Sequence, residues 1–75
     1  MSTVVNKNNL VDYIMGFEDG SLTTVDIVDL FSYLIKTGQA WHLQGMYGRY
    51  ANDLINNDII DKKGKILKDE YKSNN

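Results

Sequence analysis

The chain has 75 residues, of which 43% are apolar, and no cysteine, so it predicts one small packed domain without disulfides or thiolate metal sites. The formal net charge of −2 argues against a domain held to nucleic acid by many phosphate contacts. No apolar run approaches the length of a membrane span and the first residues carry no apolar signal segment, so we expect a soluble cytoplasmic protein.

The predicted fold class is mainly α, with a helical hairpin plus a short N-terminal helix, three helices in all. After them we expect either a C-terminal β-hairpin or a short fourth helix. Residues 9–71 are predicted to form this single helical domain. Polar composition predicts that residues 1–8 and 72–75 are flexible ends.

The first helix is predicted from about Asn9 to about Met15. Asn8 or Asn9 can cap its N-terminus, and Leu10 and Ile14 provide apolar residues at helical spacing. The segment 16–21 contains two glycines and is expected to break the helix.

The second helix is the clearest element of the sequence. Thr23 can cap it, Asp26 places an acid near its positive end, and Gly38 can end it in the left-handed conformation. Its apolar residues follow the spacing of a buried stripe: Ile27, Leu30, Phe31, Leu34 and Ile35. Four polar residues are expected to face water: Asp26, Asp29, Ser32 and Lys36.

The third helix is predicted over roughly Ala40 to Asn56, antiparallel to the second, with Asn57 as the left-handed residue after it. Its core face is expected to contain six residues: Leu43, Met46, Tyr47, Tyr50, Ala51 and Leu54.

Residues 59–71 allow two interpretations. Asp61 and Gly64 suit a type I turn followed by a bulge, which predicts a small β-hairpin whose isoleucines dock on the helices. Alternatively, residues from Lys65 to Tyr71 form a fourth helix. The hairpin, followed by a helical turn, is the favoured interpretation.

A second face of the third helix is unusual because it carries Trp41, Gly45, Gly48 and Asn52 at helical spacing. Each glycine inside a helix costs about 1 kcal/mol relative to alanine, so a small domain needs a reason to keep two of them. Without a β-carbon, the helix backbone can be approached closely by another group. We expect His42 and Arg49 to flank this strip.

Three interpretations of the strip stay open. The favoured one is that the first helix or the N-terminal segment packs in the groove and covers Trp41. The second is an open groove for a partner's helix or loop, with Trp41 as anchor and Arg49 as polar contact. The third is a small-molecule site.

Neither a catalytic nor a metal site is predicted. His42 has no serine, cysteine or paired carboxylate spaced to work with it. The acids around the start of the second helix lack the ligand alternation of a calcium loop, so a solvated acidic surface is the favoured interpretation: Glu18, Asp19, Asp26 and Asp29. We expect no enzyme activity and no cofactor.

The stretch Trp41-His42-Leu43-Gln44-Gly45-Met46-Tyr47-Gly48-Arg49 resembles a family of very short bacteriophage proteins whose recurring feature is W-x-L-Q-G-x-Y-G-R. The similarity extends over roughly residues 14–60. It departs from the family pattern near Asn57, where a glycine would be expected. The resemblance implies a phage product made in the cytoplasm of an infected bacterium, and it brings no enzyme activity, cofactor or partner.

The leading functional hypothesis is therefore a small non-enzymatic phage protein that binds a host protein, as an inhibitor in host takeover or counter-defence. Its predicted partner-binding residues are Trp41, His42, Gly45, Gly48, Arg49 and Asn52. One alternative is a nucleic-acid-binding module like a winged helix-turn-helix, against which the few basic residues of the third helix argue. Another is a structural protein that self-associates as a homodimer through the glycine strip. A phage protein is a further candidate partner, and no membrane association is expected.

Overall fold

In the computed structural model, which describes residues 5–71, three α-helices are joined by short turns. They are α1 (Leu10–Asp19), α2 (Thr24–Thr37) and α3 (Gly45–Asn56), with 3-10 turns at Gln39–Trp41 and Asp69–Tyr71. Within the described range, β pairing is limited to one antiparallel bridge between Ile60 and Ile66. The prediction of a mainly α domain with three helices is thus confirmed. No helix in residues 5–71 has the length and apolar character needed to cross a bilayer.

Helix α2 lies at the centre of the fold and contacts α1, α3 and both 3-10 turns. Leu30, Phe31 and Leu34 are completely buried, as their spacing predicts. Thr23 Oγ1 accepts a hydrogen bond from the Asp26 N–H at 3.2 Å. These contacts confirm the predicted N-cap and most of the predicted stripe.

The prediction that Ser32 faces water is wrong. Its side chain is buried, and its hydroxyl donates a hydrogen bond to the carbonyl oxygen of Gly64. A buried hydroxyl needs such a partner, because an unsatisfied one costs about 1–3 kcal/mol. Ser32 therefore ties α2 to the C-terminal turn.

The prediction that the first helix breaks at Gly16 is wrong, because α1 continues to Asp19. A β-carbon at Gly16 would come within 2.8 Å of the Leu22 side chain, so glycine here serves the packing of the returning chain. The helix ends at Gly20, which is left-handed with φ 79° and whose N–H bonds to the carbonyls of Gly16 and Phe17.

The chain ahead of α1 is packed and hydrogen-bonded. Val5 is buried in the core. Asn9 Oδ1 accepts from the Asn6 N–H at 2.8 Å, and Asn6 Oδ1 accepts from the Asn9 N–H at 3.2 Å. Packing therefore begins by Val5, ahead of the predicted domain start at residue 9. The rest of the predicted flexible ends, residues 1–4 and 72–75, lies outside the described residues.

The third helix begins at Gly45 instead of Ala40. Residues Gln39–Trp41 form a separate 3-10 turn that buries Ala40, and Gln44 then has an extended backbone with ψ 152°. The left-handed residue after α3 is Asp58, with φ 58°, and not Asn57. The Ile59 N–H bonds back to the Leu54 carbonyl at 3.0 Å, which completes the helix end.

Of the favoured interpretation of residues 59–71, the turn and the final helical turn are confirmed, but the predicted β-hairpin is not: within residues 5–71 the pairing is one isolated bridge without strands. Asp61 accepts the Gly64 N–H through its carbonyl, and its carboxylate accepts the N–H groups of Lys63 and Lys65. These bonds hold the carboxyl pKa of Asp61 below its usual value. Ile60 is buried at the single bridge, and a helical turn follows.

Gly64 sits at the closest approach between the turn and α2. Its φ is +91°, and a β-carbon there would lie 2.7 Å from the Ser32 carbonyl oxygen and 2.5 Å from Lys36 Cγ. The lysines on either side of it are exposed, yet Gly64 itself is buried. This contact and the Ser32 hydrogen bond fix the C-terminal segment on the helices.

Candidate functional site

The six predicted partner-binding residues lie at the junction of the first 3-10 turn and α3. We call them the Trp41 surface: Trp41, His42, Gly45, Gly48, Arg49 and Asn52. Trp41 ends the 3-10 turn, His42 follows it, and the other four belong to α3. All are exposed except Gly48, which is partly buried.

Trp41 and Gly48 are brought together, although not in the way that the helical spacing predicts. Trp41 is not on α3; the 3-10 turn places its ring beside the helix. A β-carbon added at Gly48 would lie 3.9 Å from Trp41 Cε3 and 3.7 Å from the Ala40 carbonyl oxygen. These are ordinary van der Waals distances, so the fold itself leaves room for alanine at this position.

Gly45, the first residue of α3, has open space around it. Among residues 5–71, no atom lies within 4 Å of a β-carbon built there, its own helix turn aside. The favoured sequence interpretation placed α1 or the N-terminal segment in this groove over Trp41. Among residues 5–71, the neighbours of Gly48 come from the 3-10 turn, and the indole is 48% exposed. Residues 1–4 of the N-terminal segment lie outside the described residues.

The remaining residues of the surface follow from helix geometry. Asn52 is one turn after Gly48, and Arg49 is one turn after Gly45. Arg49 is the only basic residue of α3, which also carries Asp53. Arg49 is therefore the only side chain of this helix that can neutralise a nucleic-acid phosphate.

Sequence reasoning missed two apolar residues beside this surface. Leu43 and Met46 were predicted to belong to the core, but they are 36% and 43% exposed. With Trp41 they belong to a stretch, residues 41–46, in which every residue is exposed. Leu43 was assigned to the core because a continuous helix from Ala40 was predicted, whereas α3 begins at Gly45; Met46 lies in the first turn of α3, beside its buried face.

Tyr50 was also predicted to be core and is 37% exposed at its edge. Its ring nevertheless packs on Phe17 and Phe31, with centroids 5.4 Å and 4.9 Å apart. These aromatic contacts join α1, α2 and α3 at the N-terminal half of α3. They hold the backbone of the Trp41 surface in place.

A hydrogen bond between α1 and α3 supports the same region. The Tyr47 hydroxyl donates to Glu18 Oε2 at 2.7 Å. Burial, the hydrogen bond to Glu18 and the charge of that carboxylate raise the pKa of Tyr47 to about 12. The hydroxyl therefore stays protonated, and the link persists, across the physiological range.

The Trp41 surface offers groups suited to non-covalent contacts. It combines an exposed indole, a guanidinium, an amide and a helix end where Gln44 provides no side-chain cap. Such an end presents backbone N–H groups and partial positive charge. Elsewhere in residues 5–71, no group of three or more histidine or acidic residues is placed to hold a metal ion.

Comparison with known proteins assigns the chain to a family. The family model described as domain of unknown function (DUF7417) matches residues 3–73, and the chain belongs to that family. No curated protein and no solved structure matches it.

Proposed function

We propose that this member of the DUF7417 family is a small non-enzymatic protein that binds another protein through the Trp41 surface. Its partner is a host protein in the cytoplasm of a bacterium infected by a phage. The W-x-L-Q-G-x-Y-G-R resemblance supports the phage setting, and its residues include most of the Trp41 surface.

The proposal rests on the free space around the β-carbon positions of Gly45 and Gly48. A glycine in the middle of a helix costs about 1 kcal/mol relative to alanine. Gly48 would accept a β-carbon at ordinary contact distances, and Gly45 is surrounded by open space. Packing within residues 5–71 therefore gives no reason for a glycine at Gly48, inside the helix, whereas close approach by a partner's backbone does. Gly45 is the first residue of α3, so it does not carry this interior cost.

The exposed indole supports the same conclusion. Tryptophan and arginine are enriched among the residues that carry most of the energy of protein interfaces. Trp41 stands about half exposed beside Gly48, and Leu43 and Met46 extend the apolar area. Methionine adapts its shape to different partners more easily than branched side chains do. We place Trp41 at the centre of the interface and Arg49 at its rim.

Binding alone accounts for an inhibitory effect. A domain of 75 residues can cover a functional surface of a larger protein without any chemical step. The Trp41 surface would then provide the contact, and the aromatic cluster under α3 would hold it in a fixed shape. The function is host takeover or counter-defence by occlusion.

The test is affinity capture from host lysate with the tagged wild-type protein and matched variants. Gly48→Arg fills the strip, and Trp41→Ala removes the anchor. Asp53→Arg is the control, because it adds the same side chain about 140° away around α3. Leu67→Ala is the control for losing an exposed apolar side chain elsewhere.

We expect one or more host proteins that the wild type and both controls retain, and that both surface variants lose. Circular dichroism must show that each variant keeps its helices. Recovery of the same proteins by all five forms would contradict the proposal. Titration of the purified partner by calorimetry then gives the fold-change in affinity for each variant.

A further inference from the structure

Within residues 5–71, a second exposed apolar surface lies on α1, a helix whose backbone makes no close contact with the 3-10 turn carrying Trp41. Val11 and Met15 are one helical turn apart and are 65% and 60% exposed, more than any other large apolar residue of the described chain. Exposed acids accompany them on this helix, namely Asp12, Glu18 and Asp19. The outer side of α1 is thus an apolar pair flanked by negative charge.

The segment between Lys7 and Lys36, which contains this pair, is acidic. From Asn8 to Ile35 the chain has five acidic residues and no basic one. Neither the first nor the last turn of α1 contains a lysine or an arginine. A surface of this kind favours an occupant that is apolar and positively charged, since like charges placed opposite each other are costly.

The chain itself carries a surface with those properties. Residues 62–68 include four lysines, with Asp61 before them and Asp69 and Glu70 after them. All four lysines are exposed, and Leu67 beside them is 42% exposed. The hydrogen bonds of the Asp61 turn and the contact of Gly64 with α2 give this segment a fixed shape. We call it the lysine turn.

The fold gives the two surfaces different positions on α2. Helix α1 contacts α2 through Phe17 and Phe31, whereas the lysine turn approaches α2 at Ser32 and Lys36 through Gly64. The lysine turn of a second copy of the chain complements this outer side of α1 in charge and in apolar character. A contact between unlike surfaces of two copies pairs opposite charges and covers apolar residues on both sides.

We propose that this protein self-associates by docking the lysine turn of one copy on the Val11–Met15 face of α1 in another. The contact does not use the Trp41 surface, so self-association and partner binding can occur together. Because opposite charges guide it, it weakens as the ionic strength rises.

Sedimentation velocity at low ionic strength over a range of protein concentrations tests the proposal. We expect the weight-average mass of the wild type to rise above that of the monomer with concentration, and to fall back when salt is added. Met15→Lys, on the α1 face, and the double variant Lys62→Glu/Lys63→Glu, on the lysine turn, should each remain monomeric. Both change exposed side chains, and circular dichroism verifies the fold.

Mixing these two variants is the decisive measurement. The double variant keeps an intact α1 face and Met15→Lys keeps an intact lysine turn, so the mixture should form a heterodimer that neither forms alone. Trp41→Ala should associate like the wild type, which separates this result from failure of the proposed function. A wild type that stays monomeric, variants that associate like it, or a mixture that stays monomeric would each overturn the proposal. Association that Trp41→Ala abolishes would also overturn it.

Discussion

The indole of Trp41 lies against Gly48, where an added β-carbon would sit 3.9 Å from Trp41 Cε3. This distance allows a methyl group and does not require its absence. The 3-10 turn brings the two residues together although Trp41 lies outside α3. The sequence suggests that Gly48 is needed for packing within the fold, but the fold would accommodate alanine at this position.

Fluorescence of Trp41, the only tryptophan of the chain, reports directly on the proposed binding surface. Because the side chain is about half exposed, we expect red-shifted emission that acrylamide quenches readily. Binding of the partner should shift the emission to the blue and reduce quenching. The urea-unfolded protein provides the fully exposed control. Blue-shifted, protected emission from the free protein would place the indole inside the fold and contradict the account.

Gly64→Ala should be among the most destabilising substitutions of the chain. It combines a positive φ of 91° with β-carbon contacts of 2.5–3.0 Å to α2, so we expect a loss of about 3 kcal/mol in the free energy of unfolding. Gly20→Ala is the matched control, because its φ is also positive but the space around it is open. That control should lose only about 1 kcal/mol from backbone strain. Equal losses in urea unfolding would show that the approach to α2 does not matter.

Tyr47→Phe should destabilise the fold by about 1 kcal/mol, because it removes the hydrogen bond to Glu18. The wild type should also lose stability at high pH. Its Tyr47 pKa is raised from 10.0 to about 12 in the fold, so the stabilisation is complete below pH 10 and disappears as the pH rises through 12.

The control for the alkaline effect is Tyr47→Phe itself, whose stability should fall less between pH 10 and 12. Glu18→Gln keeps an acceptor for the hydroxyl but removes the negative charge, so the fold should raise the pKa of Tyr47 less. The loss of stability at high pH should therefore be smaller in this variant. Urea unfolding at a series of pH values measures both. If Tyr47→Phe lost as much stability at high pH as the wild type does, groups other than Tyr47 would be responsible for the loss.

The sequence predicts α2 almost completely because the signals for that helix are local. Thr23 and Gly38 mark its ends, and the apolar stripe between them has one spacing only. The predictions fail where the reason for a residue lies far along the chain. Ser32 looks like a surface residue until Gly64, 32 positions later, is seen to accept its hydrogen bond.

The candidate site was predicted in its residues but not in its geometry. A continuous helix from Ala40 put Trp41 on the glycine strip by helical spacing, whereas the 3-10 turn achieves the contact with Gly48 through space. No local signal marks that turn, because its stability comes from burying Ala40. The same error assigned Leu43 to the core.

Gly48→Ala tests the central claim most directly. If this glycine serves a partner and not the fold, alanine should raise the free energy of unfolding by about 0.5–1 kcal/mol, or the melting temperature by roughly 4–8 °C per kcal/mol. The same variant should retain less of the partner captured by the wild type. A less stable Gly48→Ala protein, or one that binds the partner as well as the wild type does, would contradict the account.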